Sequence, residues 1–299
     1  MRRLHADLIL VFAAVIWGVA FIFQKTAMDH VEPLTFIAAR GAVAVLALAP
    51  LALYEQRRSA TPAHPRVWRI ALAGGAVFFA GAWLQQEGIK TASVTNTGFL
   101  TALYVVITPF VAWMAMGRVP SWLVWPAVVL SALGTWLLGG GSIGAFSRGD
   151  GLVALSAFFW AGHVVMTGTA ARYGRPIGFT VVQFAVVGML AAIGAVAWET
   201  VTLEGLRGAA WDIAFVGLLS SALTFTLLTV ALQHTPPSEA AVIVSTETMF
   251  AALAAYLVLG ERLPGIGWIG AGLILLATLL VQLGPSLIAA RRSRGAPTV

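Results

Sequence analysis

A chain of 299 residues in which 59% are hydrophobic and 10% charged is far oilier than a soluble domain, where roughly half are apolar and about a quarter charged. That composition excludes a soluble fold, and the lack of cysteine excludes disulfides, thiolate catalysis and cysteine metal sites. The formal charge of +6 is what basic loops facing anionic lipid produce, so it calls for no nucleic-acid partner.

A hydrocarbon core about 30 Å thick takes about 20 apolar residues in helix, and ten such runs follow one another, so the expected fold is an all-α integral membrane protein. The first spans about 7–26; Arg2 and Arg3 precede it, but it is too long for a signal-peptide core and no small-residue cleavage site follows. It is expected to stay in the mature chain. The second, about 33–54, opens on Glu32-Pro33 and carries Arg40; the third covers about 67–89. The fourth, about 93–116, shows Thr97, Thr101, Tyr104 and Thr108 on one helical face. Those threonines could line a cavity or bond their own preceding turn.

The fifth, about 121–139, lies between Arg118-Val119-Pro120 and Gly139-Gly140-Gly141. The sixth, about 151–172, places Trp160, His163 and Thr167 in one row, as Trp17, Phe21 and Gln24 are placed in the first. The seventh, about 177–199, follows Gly174-Arg175-Pro176 and contains Gln183, which could serve a polar substrate or bond a neighbouring helix. The eighth covers about 209–234. The ninth, about 238–259, follows Pro236-Pro237 and carries Glu247, and the tenth, about 265–283, follows Leu263-Pro264.

With a cytoplasmic N-terminus, twelve basic residues fall on the inner side and five on the outer, so both termini are expected in the cytoplasm. Trp17 and Trp160 stand 143 positions apart, and the same offset joins Pro33 to Pro176, Phe36 to Phe179, Trp68 to Trp211 and Gly74 to Gly217. The chain therefore reads as a duplication, with units 1–145 and 146–299. Five spans per unit is an odd number, so the second unit must cross in the opposite sense. Inverted repeats put a binding site near the midplane between the halves.

These features resemble the drug/metabolite transporter superfamily, in its EamA branch: five-plus-five spans, Trp17-Gly18 in the first helix, Pro33 opening the second, and "LGERLP" at 259–264 before the last. The first copy departs from the last motif, with Gly117-Arg118 where Gly260-Glu261 stands in the second. Glu261 is expected to anchor a loop. By general likeness rather than a diagnostic motif, the chain is similar to bacterial amino-acid exporters of the YddG type. The resemblance implies export of small metabolites, amino acids including aromatic ones, across a bacterial-type inner membrane, and the direction of transport is implied by it alone.

The substrate-binding residues expected on this reading are Trp17, Gln24, Thr101, Tyr104, Trp160, His163 and Gln183: tryptophans to stack on an apolar or aromatic side chain, polar groups to hydrogen-bond a zwitterion. Glu247 is the one acid and Arg40 the one base placed deep in a span; ionisable groups there are costly, so each is a site candidate. Glu247 and His163 are candidate proton sites, and a structural pair of Arg40 with Glu247 is the competing account. Export of drugs or nucleobases through the same cavity is the nearest alternative function. An intramembrane enzyme or a non-transporting membrane protein is more remote.

Gly265-Ile-Gly-Trp-Ile-Gly270 matches a dinucleotide-binding pattern, but no strand precedes it and it opens a membrane helix, where small residues permit close packing. Gly140-Gly-Ser-Ile-Gly144 matches GxSxG without a strand-turn-helix context. Neither carries function here, and no metal, cofactor or ATP requirement is expected. The oligomeric state is left open.

Overall fold

The computed structural model describes residues 3–59, 61–117, 119–138, 140–141, 147–262 and 265–294, with backbone alone from 284 onward. Arg118, Pro264, Gly139 and most of the 140–144 run lie outside the described residues. Ten helices cross the fold: α1 (Arg3–Thr26), α2 (Pro33–Arg58), α3 (Pro65–Ile89), α4 (Val94–Met116), α5 (Val124–Leu138), α6 (Arg148–Ala171), α7 (Pro176–Trp198), α8 (Ala210–Ala231), α9 (Pro237–Leu259) and α10 (Gly265–Arg294). Among the described residues, nine are long and apolar enough to span a bilayer. The exception is α5, whose 15 residues reach about 22 Å. Pro120 cannot continue a helix backward, and Ser121–Leu123 form a turn that starts α5 at Val124.

Proline marks most entrances. Pro33, Pro65, Pro176 and Pro237 occupy the first helical turn, where the missing N–H would have no partner anyway. Left-handed glycines close α4 and α9 at repeat-related positions, Gly117 with φ 65° and Gly260 with φ 68°.

The packing follows the repeat. The α2 helix lies along α7, α5 along α10, α3 along α6 and α1 along α8; α1 also packs on α9 as α4 packs on α6. Exchanging the two halves maps this set of contacts onto itself. The sense of the pairs is fixed by carboxylates. Glu199, at the end of α7, accepts from Leu34 N and Thr35 N at the start of α2, both at 2.7 Å, and from Thr35 Oγ1 at 2.8 Å. Glu55, in the last turn of α2, accepts from Ile177 N at 3.2 Å and Gly178 N at 2.9 Å at the start of α7. Each helix therefore caps the other's N-terminus, which requires the two to run antiparallel, as inverted units must.

Glu261, just beyond α9, accepts in the same way from Val94 N, Thr95 N and Thr95 Oγ1 at the start of α4. Its carboxylate thus sits on the orphan donors of a helix N-terminus. This is the anchoring role expected of it, directed at α4.

Helix axes approach closely where side chains are absent. A Cβ on Gly18 of α1 would lie 2.6 Å from Glu247 O and 2.7 Å from Ala251 N of α9. Gly134 of α5 and Gly270 of α10 meet similarly, with 2.6 Å from a Cβ on Gly134 to Gly270 O. Gly270 of the dinucleotide-like run therefore serves helix packing.

Candidate functional site

Polar residues collect at one cavity enclosed by both halves. Trp17, Phe21 and Gln24 reach it from α1, Arg40 from α2, Gln85 from α3, and Thr101 and Tyr104 from α4. The second half contributes Trp160 and His163 from α6, Ser220, Phe225 and Leu228 from α8, and Glu247 from α9. The rows at helical spacing in α1 and α6 thus face the same space. The cavity offers about 70 Å³ to water-sized molecules, room for a few waters, whereas small-molecule pockets run to about 300–1,000 Å³.

An aromatic cluster forms the floor. The Phe225 ring lies 4.9 Å from that of Trp17 and stacks at 6.4 Å on Trp160; Phe78 meets Trp160 at 5.0 Å and Phe225 at 4.8 Å. Trp17 Nε1 donates to the carbonyl of Ser220 at 2.9 Å. Ser220 lies in a π-helical stretch of α8, Val216–Leu223, a widened turn of the kind that interrupts helices at functional sites.

Both α4 and α9 tighten where they meet the cavity. Backbone bonds switch to three-residue spacing at Leu103→Leu100 and Val105→Ala102 in α4, and at Thr246→Ile243 and Thr248→Ser245 in α9. Tyr104 and Glu247 follow these turns and share the repeat offset. They face each other, although the Tyr104 hydroxyl makes no hydrogen bond of good geometry.

The candidate residues divide as follows. Trp17, Gln24, Thr101, Tyr104, Trp160, His163, Arg40 and Glu247 all line the cavity. Gln183 does not. It sits behind His163, its Oε1 3.4 Å from His163 Nε2, and its amide packs against Gly74. Of the two uses open to its side chain, a bond to a neighbouring helix is the one seen, to His163 of α6. Thr97 and Thr108 donate to the carbonyls four residues before them, at 2.8 and 2.7 Å, whereas Thr101 accepts from Gln85 Nε2 at 2.7 Å beside the cavity. Arg40 and Glu247 form no ion pair with each other: the described ion pairs are Arg3 with Asp7 and Glu239, and Lys90 with Glu87.

Four buried polar atoms of the lining make no hydrogen bond of good geometry among the described residues: Arg40 Nε, Tyr104 Oη, Trp160 Nε1 and His163 Nδ1. Buried groups of this kind are rare in folded proteins, and their concentration around one cavity marks a place that meets something polar. The sequence reading missed Phe225, Phe78, Gln85 and Ser220. Gln85-Gln86 was visible as polar residues in an oily run. Phe225 was not, because its counterpart at the repeat offset is Ala82.

The EamA-like transporter family model matches the chain twice, over residues 4–140 and 147–283. The chain belongs to the EamA family. It is 31% identical over 288 residues to an "Uncharacterized transporter" of Archaeoglobus fulgidus (95% of this chain, 87% of that one). It is 25% identical over 295 residues to the "Uncharacterized transporter YwfM" of Bacillus subtilis, covering 93% of this chain and 94% of that one. A solved crystal structure, 16% identical, superposes with a TM-score of 0.76 over 94% of this chain and 98% of its own, which shows a shared fold. The protein is therefore a multi-pass membrane transporter.

Proposed function

We propose that this EamA transporter is a secondary exporter of small metabolites, most suited to amino acids including aromatic ones, working by alternating access across a bacterial-type inner membrane with both termini in the cytoplasm. The observation that carries the reading is the cavity lining, where Trp17, Phe225 and Trp160 offer a stacking surface beside polar atoms without a well-formed hydrogen bond on Tyr104, Trp160, His163 and Arg40. An aromatic zwitterion needs both. The present cavity is narrower than such a substrate, which fits a constricted state from which one half must rock against the other. Likeness to YddG-type exporters agrees with the choice of cargo.

Counterflow tests it: proteoliposomes preloaded with unlabelled phenylalanine should accumulate external labelled phenylalanine transiently, and dissipating the pH gradient separates proton coupling from facilitated exchange. Absence of counterflow with any amino acid, from folded protein, would remove the amino-acid assignment.

A further inference from the structure

The second helices of the two halves hold repeat-related polar residues, Arg40 and Gln183, and the structure treats them differently. Gln183 is neutral and engaged with His163 behind the cavity wall. Arg40 is charged, 4% exposed and on the cavity itself. Its guanidinium carries five N–H donors, yet it makes no hydrogen bond and no ion pair among the described residues; its one contact of note is with the Phe36 ring, 5.8 Å from the centroid. A neutral side chain suffices at the equivalent position of the other half, so packing alone does not require a cation here. Placing one inside a membrane-spanning helix is unfavourable, and such residues ordinarily mark a substrate or ion path.

We propose that Arg40 is the carboxylate-binding residue of the cavity, taking the substrate's carboxylate in a two-pronged pair while the aromatic floor holds its side chain. This deepens the amino-acid reading and rests on it for the identity of the cargo. Phosphate esters, with two negative charges, would call for more than one fixed cation, and among the described lining residues Arg40 is the one arginine or lysine. Glu247 lines the same space but forms no ion pair with Arg40, so it does not meet that charge. A purely cationic drug leaves Arg40 without an anion and adds to its repulsion.

Ligand-dependent thermal stabilisation of the purified full-length protein tests this without requiring flux. Three probes share one aromatic body: phenylalanine, 3-phenylpropionate, which keeps the carboxylate and lacks the amine, and phenethylamine, which keeps only the amine. Wild type should be stabilised by both carboxylates and not by phenethylamine. Arg40→Gln should raise the half-stabilising concentration of both carboxylates about tenfold or more, and Arg40→Lys should recover part of it as a point charge without the bidentate fork.

Equal stabilisation by phenethylamine, no response to either carboxylate, or undiminished response in a folded Arg40→Gln protein would each overturn the assignment. Should Arg40→Gln fail to fold, the three-probe comparison on wild type decides alone. Stabilisation by phenylpropionate together with no amino-acid counterflow would sink the amino-acid reading and leave the carboxylate site standing.

Discussion

Replacing Glu199 with alanine removes three hydrogen bonds from the entrance of α2, two of them to backbone N–H groups that have no other helical partner. Hydrogen bonds to charged groups contribute about 1.5–3 kcal/mol each where buried, but Glu199 is half-buried and water replaces part of the loss. An N-cap exchanged for alanine costs about 0.5–2 kcal/mol, so the expected destabilisation is about 2 kcal/mol for Glu199→Ala. Glu55→Ala, which removes two bonds from the start of α7, should cost about 1 kcal/mol. The two caps sit at opposite ends of helices about 35 Å long, so the double variant should be additive to within about 0.5 kcal/mol. Denaturant unfolding in mild detergent micelles measures all three. A Glu199→Ala cost below about 0.5 kcal/mol, the range of ordinary surface substitutions, would refute reciprocal capping as the bond between the halves.

Gly18→Ala should destabilise by about 1–3 kcal/mol and reduce flux, because the new methyl meets the backbone of α9 beside Glu247; expression, unfolding and flux together check it. Trp17→Phe keeps an aromatic ring against Phe225 but loses the bond to Ser220 and part of the indole's contact, so it should lower stability by about 1–2 kcal/mol and retain transport, whereas Trp17→Ala should weaken transport in the same flux assay. Gly260→Ala places a side chain in open space but at φ 68°, so an unfolding measurement should show a loss of about 1 kcal/mol with substrate affinity unchanged.

The helix entrances were legible because proline at the first turn and glycine beyond the last act within a few residues, as at Pro33, Pro176 and Gly117. The rows Trp17–Phe21–Gln24 and Trp160–His163 were legible for the same reason: helical periodicity is a local property, and a tryptophan at mid-depth is unusual enough to notice. Sequence alone left Gln183 open to a substrate contact or a bond to a neighbouring helix, because the choice depends on which layer the side chain occupies; it meets His163 of α6.

Glu55 and Glu199 carried no local signal. An acid near a helix C-terminus is locally unfavourable, and only the antiparallel neighbour's N-terminus makes sense of it. The repeat offset joining Tyr104 to Glu247 was present in the numbering, but the tightened turn before Glu247 goes with Ser and Thr hydroxyls competing for carbonyls, as when Thr246 Oγ1 donates to Ile243 O. Phe225 breaks the repeat, and no comparison of halves could find it.

Uptake of labelled phenylalanine into proteoliposomes, wild type beside Trp160→Ala, tests the cavity most directly. Wild-type flux that other amino acids compete away, with a clear fall in apparent affinity in a folded Trp160→Ala protein, is what the account predicts. Flux and affinity unchanged in Trp160→Ala would contradict it and place the transport path elsewhere in the fold.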